Sequence, residues 1–254
     1  MGIHGFARFP RRLVPLATRR VRFARRISTI HVVQLDEVRR SAIQKGRFDR
    51  GHLTRVEQGP TVIHELRAYD LKPGQALAYL ETFRTDGVQY VTRHLPMVGY
   101  WLTDNGALNR LYHLWPYADM EHRARARAAL AEDADWNSRF VPKCFPLILR
   151  QQSFFLRALD LSPEVEELLG RTQVPVGHQD PSEAIFASCY HSLSFSAAEV
   201  AVSGAEVLGR WSVASGRDVG AQVTIMRHER GRATPPDGVL RHEFLRPLAL
   251  SPLR

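Results

Sequence analysis

The chain has 254 residues, 44% of them hydrophobic, which is enough to bury a core and build two modest domains and excludes disorder throughout. Its charge of +9 is unevenly spread: residues 1–60 hold fourteen Lys or Arg against Asp36, Glu37, Asp49 and Glu57, a balance of +10, and the remainder sits near −1. Two widely separated cysteines, Cys144 and Cys189, exclude a paired-thiolate metal site and predict no disulfide, and no apolar run is long enough to cross a bilayer as a helix.

Residues 1–30 form a basic arm. It carries Arg8, Arg11, Arg12, Arg19, Arg20, Arg22, Arg25 and Arg26 and no acidic residue, with Phe6, Phe9, Leu13 and Phe23 interspersed. An Arg-rich, acid-free, amphipathic N-terminus predicts a mitochondrial transit peptide, and Arg25-Arg26-Ile27-Ser28 resembles a processing site cut after Ile27. A secretory signal does not fit, because no unbroken apolar stretch follows the arginines. Myristoylation does not fit either, because Phe6 stands where Ser or Thr is needed. If retained, the eight guanidinium groups are candidate contacts for an acidic partner, ribosomal RNA in particular. Residues 31–60 read as a charged linker with a short helix near Asp36 to Gln44, punctuated by Gly46, Gly51 and Gly59-Pro60.

Residues 61–159 have the pattern of one βαββαβ unit. Thr61 to Tyr69 alternates as a half-buried strand, with Val62, Leu66 and Ala68 on the apolar side and Glu65 and Arg67 on the polar one. Lys72-Pro73-Gly74 stops it, and Pro73 suits a first helical turn. Ala76, Tyr79, Leu80, Phe83 and Gly87 then make one helical stripe. Two β-like runs, Met97 to Thr103 and Leu108 to Trp115, flank Asp104-Asn105-Gly106-Ala107, a hairpin signal because Asn and Gly tolerate positive φ. Met120 to Asp133 is an Ala-rich helix expected to pack through Ala124, Ala128 and Ala131, with Arg123, Arg125 and Arg127 as a solvated charged face. Leu147 to Leu159 supplies the last strand of the ferredoxin-like arrangement.

These residues resemble the NIPSNAP family. The resemblance lies in Glu65 to Gly74, Val98-Gly99-Tyr100-Trp101, Gly106 to Asn109 and His113-Leu114-Trp115-Pro116-Tyr117. Arg123 to Trp136 and Gln151-Gln152-Ser153 continue it in the same order. It implies a mitochondrial matrix location, a dimeric α/β-barrel association of ferredoxin-like units, usually a second such unit downstream, and partner binding, including in mitochondrial quality control. It carries over no catalytic residue.

Comparing the chain with itself at an offset of 110 places Gly99 on Gly209, Trp101 on Trp211 and Gly106 on Gly216. After a linker at 160–183, residues 184–254 therefore read as a second, degenerate ferredoxin-like repeat. Ser196 to Glu206 is a poor helix, and Gly231 to Gly238, with Pro235-Pro236, is none. The expected fold class is α+β, tandem repeats of the dimeric α/β-barrel type with a helix-poor second copy. Its bare sheet must be covered by the first repeat, a second copy or a foreign subunit.

No paired carboxylates, Ser-His-Asp order, phosphate loop or zinc-binding helix appears, so no catalytic residue, metal site or cofactor is assigned. His64 and His113 are the candidate cofactor-binding residues, with His94 beside them, on the reading that the two strand histidines face one cavity. The competing reading makes them hydrogen-bonded packing residues. Trp101, Trp115, Trp136 and Trp211 are read as core. The functional expectation is a non-catalytic accessory or scaffold subunit of a mitochondrial ribosome or respiratory complex, partnered by other protein subunits. A free matrix adaptor, a homodimer through sheet faces and a haem- or small-molecule-binding enzyme are the alternatives.

Overall fold

The computed structural model describes residues 62–171, 174–202, 204–228 and 237–254. The basic arm with its eight arginines, the 31–60 linker and most of the Gly231 to Gly238 loop lie outside the described residues.

The first strand, β1, runs Ile63–Leu71. Leu66 and Ala68 point to one face as expected, but Glu65 on the other is fully buried, so the strand is covered on both sides rather than half-buried. Lys72 to Gln75 then closes a turn through the Gln75 N–H to the Lys72 carbonyl at 3.0 Å, with Gly74 at φ +75. Pro73 therefore occupies the second position of this turn and not the helix, because Gly74 must adopt a left-handed conformation there. The helix α1 follows in three continuous pieces, Ala76–Thr82, a π-helical turn Phe83–Gly87, and Val88–Thr92. Its predicted stripe is buried: Ala76, Tyr79, Leu80 and Phe83 are each at most 6% exposed.

Strands β2 (Gly99–Thr103) and β3 (Arg110–Tyr117) pair antiparallel with Leu102 opposite Leu111. Their connection is wider than the two-residue hairpin that Asn105-Gly106 signals. The Asn105 side chain accepts from the Phe244 N–H at 2.7 Å, and the positive φ values fall on Gly106 and Asn109. The turn is thus recruited to pair with a distant strand. Helix α2 (Met120–Glu132) is capped by Asp119, whose carboxylate accepts from the His122 N–H at 2.6 Å. It packs through Ala126 and Leu130, while Ala124, Ala128 and Ala131 are exposed, the reverse of the expected face. The reason lies in the site below: Arg123 and Arg127, on the same stripe as Ala126 and Leu130, are drawn to a buried carboxylate. A second π-helical turn, Trp136–Phe140, leads into the short helix α3 (Val141–Cys144) and then β4 (Ile148–Leu161).

The stretch read as a linker contains helix α4 (Pro163–Gly170), with Pro163 at its first position and the Ser162 hydroxyl capping the Val165 N–H. Val165 plugs into the core beneath it. Residues 176–187 then cross over α1, held by the buried guanidinium of Arg84, which donates to the carbonyls of Asp180 (2.8 Å) and Pro181 (2.7 Å). The second half contributes β5 (Tyr190–Ser196), β6 (Glu206–Ser215), β7 (Gln222–His228) and β8 (Val239–Pro247), with no helix between them among the described residues.

The eight strands of the described residues close one barrel in the order β1-β3-β2-β8-β5-β7-β6-β4. Each half contributes four neighbouring strands in the same internal order, β4-β1-β3-β2 and β8-β5-β7-β6. The two seams correspond: β2 pairs with β8 (Trp101 opposite Pro247), and β4 pairs with β6 (Ala158 opposite Trp211). Both halves consequently fall in one unit, Glu57–Arg254. The inner face of the first half is covered by the second, and its outer face by α1, α2 and α3. Two cores result, one inside the barrel and one between sheet and helices.

Trp101 and Trp211 fill the barrel interior at 0% exposure. Each contributes up to about 5 kcal/mol of apolar burial, an upper limit because the unfolded chain is partly collapsed. Each indole folds back over the glycine two residues earlier. A Cβ at Gly99 would stand 2.1 Å from the Trp101 ring, and one at Gly209 2.4 Å from that of Trp211. The Gly-x-Trp coincidence in the sequence is thus a packing unit used twice.

Candidate functional site

The register that sets Arg67 opposite His113 puts His113 on the outer face of the sheet with Glu65 and Tyr69. His64 lies on the inner face. The two histidines do not face one cavity, because 64 and 67 differ by an odd number of residues and strand side chains alternate.

His64 accepts the Trp211 indole N–H on Nδ1 at 2.6 Å, inside the barrel. The second half answers with the same device: the Trp101 indole donates to Nδ1 of His191 at 2.9 Å. Each tryptophan thus reaches across to a histidine of the opposite half. Burial pushes His64 down to about 4, and burial, with the charge of Arg227 added, pushes His191 down to about 3. Both are neutral packing groups. His191 Nε2 lies 3.8 Å from the Cys189 sulfur, but with Nδ1 accepting from Trp101 the ring proton sits on Nε2. The imidazole can only donate to the thiol, whose pKa burial raises, so this pair is not an activated nucleophile. His94, at the surface, bonds Asp133 at 2.8 Å.

On the outer face, Glu65 is fully buried and receives Arg123 through Nε (2.9 Å) and Nη2 (2.8 Å), Arg127 through Nη2 (2.9 Å), and the Ser153 hydroxyl (2.6 Å). Arg67 adds a longer contact at 3.4 Å. Desolvation would raise this carboxyl, but the three guanidinium groups and their hydrogen bonds hold it well below the usual carboxylate range. Arg123 and Arg127 are therefore a clamp between helix and sheet and not a solvated face; Arg125, which pairs with Glu121 at 2.6 Å, alone behaves as expected. The helix half of the clamp has a local signal, Arg at i and i+4 on the stripe of Ala126 and Leu130, but nothing in β1, where Glu65 alternates with His64 and Leu66, marks its partner.

Next to the clamp, between the sheet and α1, lies a cavity of about 30 Å³. The sheet contributes Tyr69, Tyr100, His113 and Trp115 to its wall, and the helical side contributes Phe83, Trp136 and Arg127 among others. His113 is 3% exposed, stacked on Tyr100 at 4.7 Å between ring centroids and edge-on to Tyr69 at 4.6 Å. The Trp115 indole donates to its Nδ1. Indole is a donor only, so the proton of the neutral ring lies on Nε2, which is buried with no partner among the described residues. Burial first, then the charges of Arg67 and Arg127, keep His113 neutral. To ligate haem iron through Nε2 the ring would have to exchange tautomer and give up Trp115. The arrangement is that of a hydrogen-bond donor. No group of three or more potential metal ligands occurs among the described residues.

The architecture and this site define a mixed α/β protein whose helix-covered, ferredoxin-like half is closed into a barrel by further strands. The NIPSNAP family model matches residues 64–163, the part that carries the clamp and the cavity. Mouse NipSnap homolog 3B is 36% identical over 100 residues, 39% of this chain and 40% of that protein, and human NipSnap homolog 3A is 36% identical over 93 residues, 36% and 37% of the two chains. A crystal structure of a NIPSNAP domain protein from Burkholderia xenovorans is 32% identical, covering 40% of this chain and 98% of that one with a TM-score of 0.38. One from Agrobacterium tumefaciens is also 32% identical, covering 42% and 96% with a TM-score of 0.40. The chain belongs to the NIPSNAP family. Its match spans about 40% of the length of the curated relatives.

Proposed function

We propose that this chain is a non-catalytic NIPSNAP-family protein that works in mitochondria as an accessory or scaffold subunit of a larger assembly, the ribosome or a respiratory complex. On this reading the second half is a copy of the first that kept its sheet and shed its helices. The observation that carries the proposal is the self-closed barrel: both seam strands of the first half, β2 and β4, are paired within the chain. A barrel-type association with another copy is thereby made internal, which leaves the outer surfaces and the arm for partners. The +10 balance of residues 1–60 favours an acidic host, and the eight arginines of the arm would supply phosphate contacts. A barrel packed with Trp101, Trp211, Phe154 and Phe195 suits a structural role. No described helix is long and apolar enough to cross a membrane.

The test is to tag the C-terminus, lyse mitochondria at moderate salt and sediment the lysate on sucrose with and without ribonuclease. Cosedimentation with a ribosomal subunit that collapses after ribonuclease, or with a large complex that ignores it, supports the scaffold reading. A peak at monomer or dimer size, or absence from mitochondria, overturns it and favours a free adaptor.

A further inference from the structure

We infer that the cavity between the sheet and α1 is a binding site for a small carboxylate, received by His113 and Arg127. This goes beyond the scaffold role and does not depend on it. Four observations carry it.

The first is a donor in need of an acceptor. The Nε2–H of His113 is buried with no partner among the described residues, and its tautomer is set by Trp115; His64 Nε2 is in the same state, but His113 is the one that lines this cavity. An unpaired buried donor is destabilising, and an incoming oxygen relieves that cost. The second is charge. Arg67, Arg123 and Arg127 surround the single carboxylate of Glu65, a local excess of two positive charges among the described residues, and the Arg127 Nε is likewise buried without a partner among them. A neutral histidine donor beside a guanidinium that shares one carboxylate with two others selects an anionic acceptor over a cation.

The third is shape. The remaining wall is apolar, with the rings of Tyr69, Trp115 and Trp136 beside the aliphatic Val91, Leu95 and Leu130. The Tyr79 and Tyr100 hydroxyls lie 3.4 Å apart, and burial raises both phenols so that they stay protonated. A water needs about 10–15 Å³ of such space, so 30 Å³ admits a planar group of a few heavy atoms, the size of a carboxylate head on a short chain. The fourth is the backbone. The two π-helical turns, Phe83–Gly87 and Trp136–Phe140, pack against each other and deliver Phe83 and Trp136 to this wall. Such turns are frequent at functional positions.

Acetate and propionate are the probes. The full chain, with ¹⁵N-labelled histidine, is titrated at neutral pH and constant ionic strength while the His113 Nε2–H resonance is followed, assigned through coupling across the Trp115 N–H···N bond. So small a ligand makes few contacts, and a dissociation constant of about a millimolar is expected. The expected result is a saturable shift, about tenfold weaker binding in Arg127→Met, and little response to acetamide or propionamide. No saturable change by about 100 mM carboxylate overturns the inference, since binding would then be weaker than the site chemistry requires. Equal binding of the amides, or unchanged binding in a folded Arg127→Met protein, overturns it as well. The wild-type titration decides the matter even where the variant does not fold.

Discussion

Replacing Glu65 by Gln keeps the side chain's shape and removes its charge, with consequences that follow from the four short contacts it makes. A Gln has one acceptor oxygen where Glu has two, and its amide N–H₂ must face Arg and Ser donors. At least two charge-assisted hydrogen bonds are lost, each contributing about 1.5–3 kcal/mol. Removing one partner of a buried ion pair typically costs about 3–5 kcal/mol. Arg123 and Arg127 are 22% and 24% exposed and can partly rehydrate, which places the expected loss near the lower end, about 3 kcal/mol. In a domain of this size that lowers Tm by about 6–12 °C. Urea unfolding followed by tryptophan fluorescence should show a lower midpoint at unchanged slope. The pH dependence adds a signature. Because Glu65 is depressed in the fold, its stabilisation is fully present above the unfolded carboxyl value of about 4.3 and drains away as pH falls toward the folded value. The gap between wild type and Glu65→Gln should thus be constant from pH 7 to about 5 and narrow below that. A loss under about 1 kcal/mol at pH 7, or a gap that widens in acid, would refute the clamp.

Two further outcomes are expected. Gly99→Ala and Gly209→Ala each drive a methyl into a tryptophan ring and should cost about 3 kcal/mol through overpacking and a loosened indole–histidine bond, whereas Gly170→Ala, with open space around it, should stay within about 0.5 kcal/mol; chemical denaturation of the three variants checks the contrast, and equal effects at all three would undo the Gly-x-Trp reading. His64, His191 and His113 are all depressed by burial, so the unfolded chain binds more protons than the fold as pH drops below about 6.5. Stability should then fall with pH from about 6.5 toward 4, by up to about 1.4 kcal/mol per pH unit for each histidine, and a flat urea midpoint across that window would contradict neutral buried rings.

Much of the first half is legible in local pattern. The stripe from Ala76 to Phe83, the helix starting near Met120 and the strands around Leu66, Trp101 and Leu114 are dictated by hydrophobic period, which acts over a few residues and is read directly from the chain. The family resemblance rests on the same segments, as does the coincidence of Gly99-x-Trp101 with Gly209-x-Trp211. What the tertiary structure alone decided concerns pairs distant in sequence. Glu65 looks like a solvent-facing residue of an alternating strand until Arg123 and Arg127, some sixty positions later, are laid over it. Ala124, Ala128 and Ala131 look like a packing face until that ion pair turns α2 the other way. His64 and His113 look like neighbours until alternation places them on opposite sides of one sheet, each held in a single tautomer by a different indole. Local sequence sets which residues are apolar at which period; the closure of β2 on β8 and β4 on β6 buries His64 with Trp211 and His191 with Trp101, and the docking of α2 buries Glu65 with its arginines, because the closed barrel removes the inner face of the sheet from water and the helices remove the outer one.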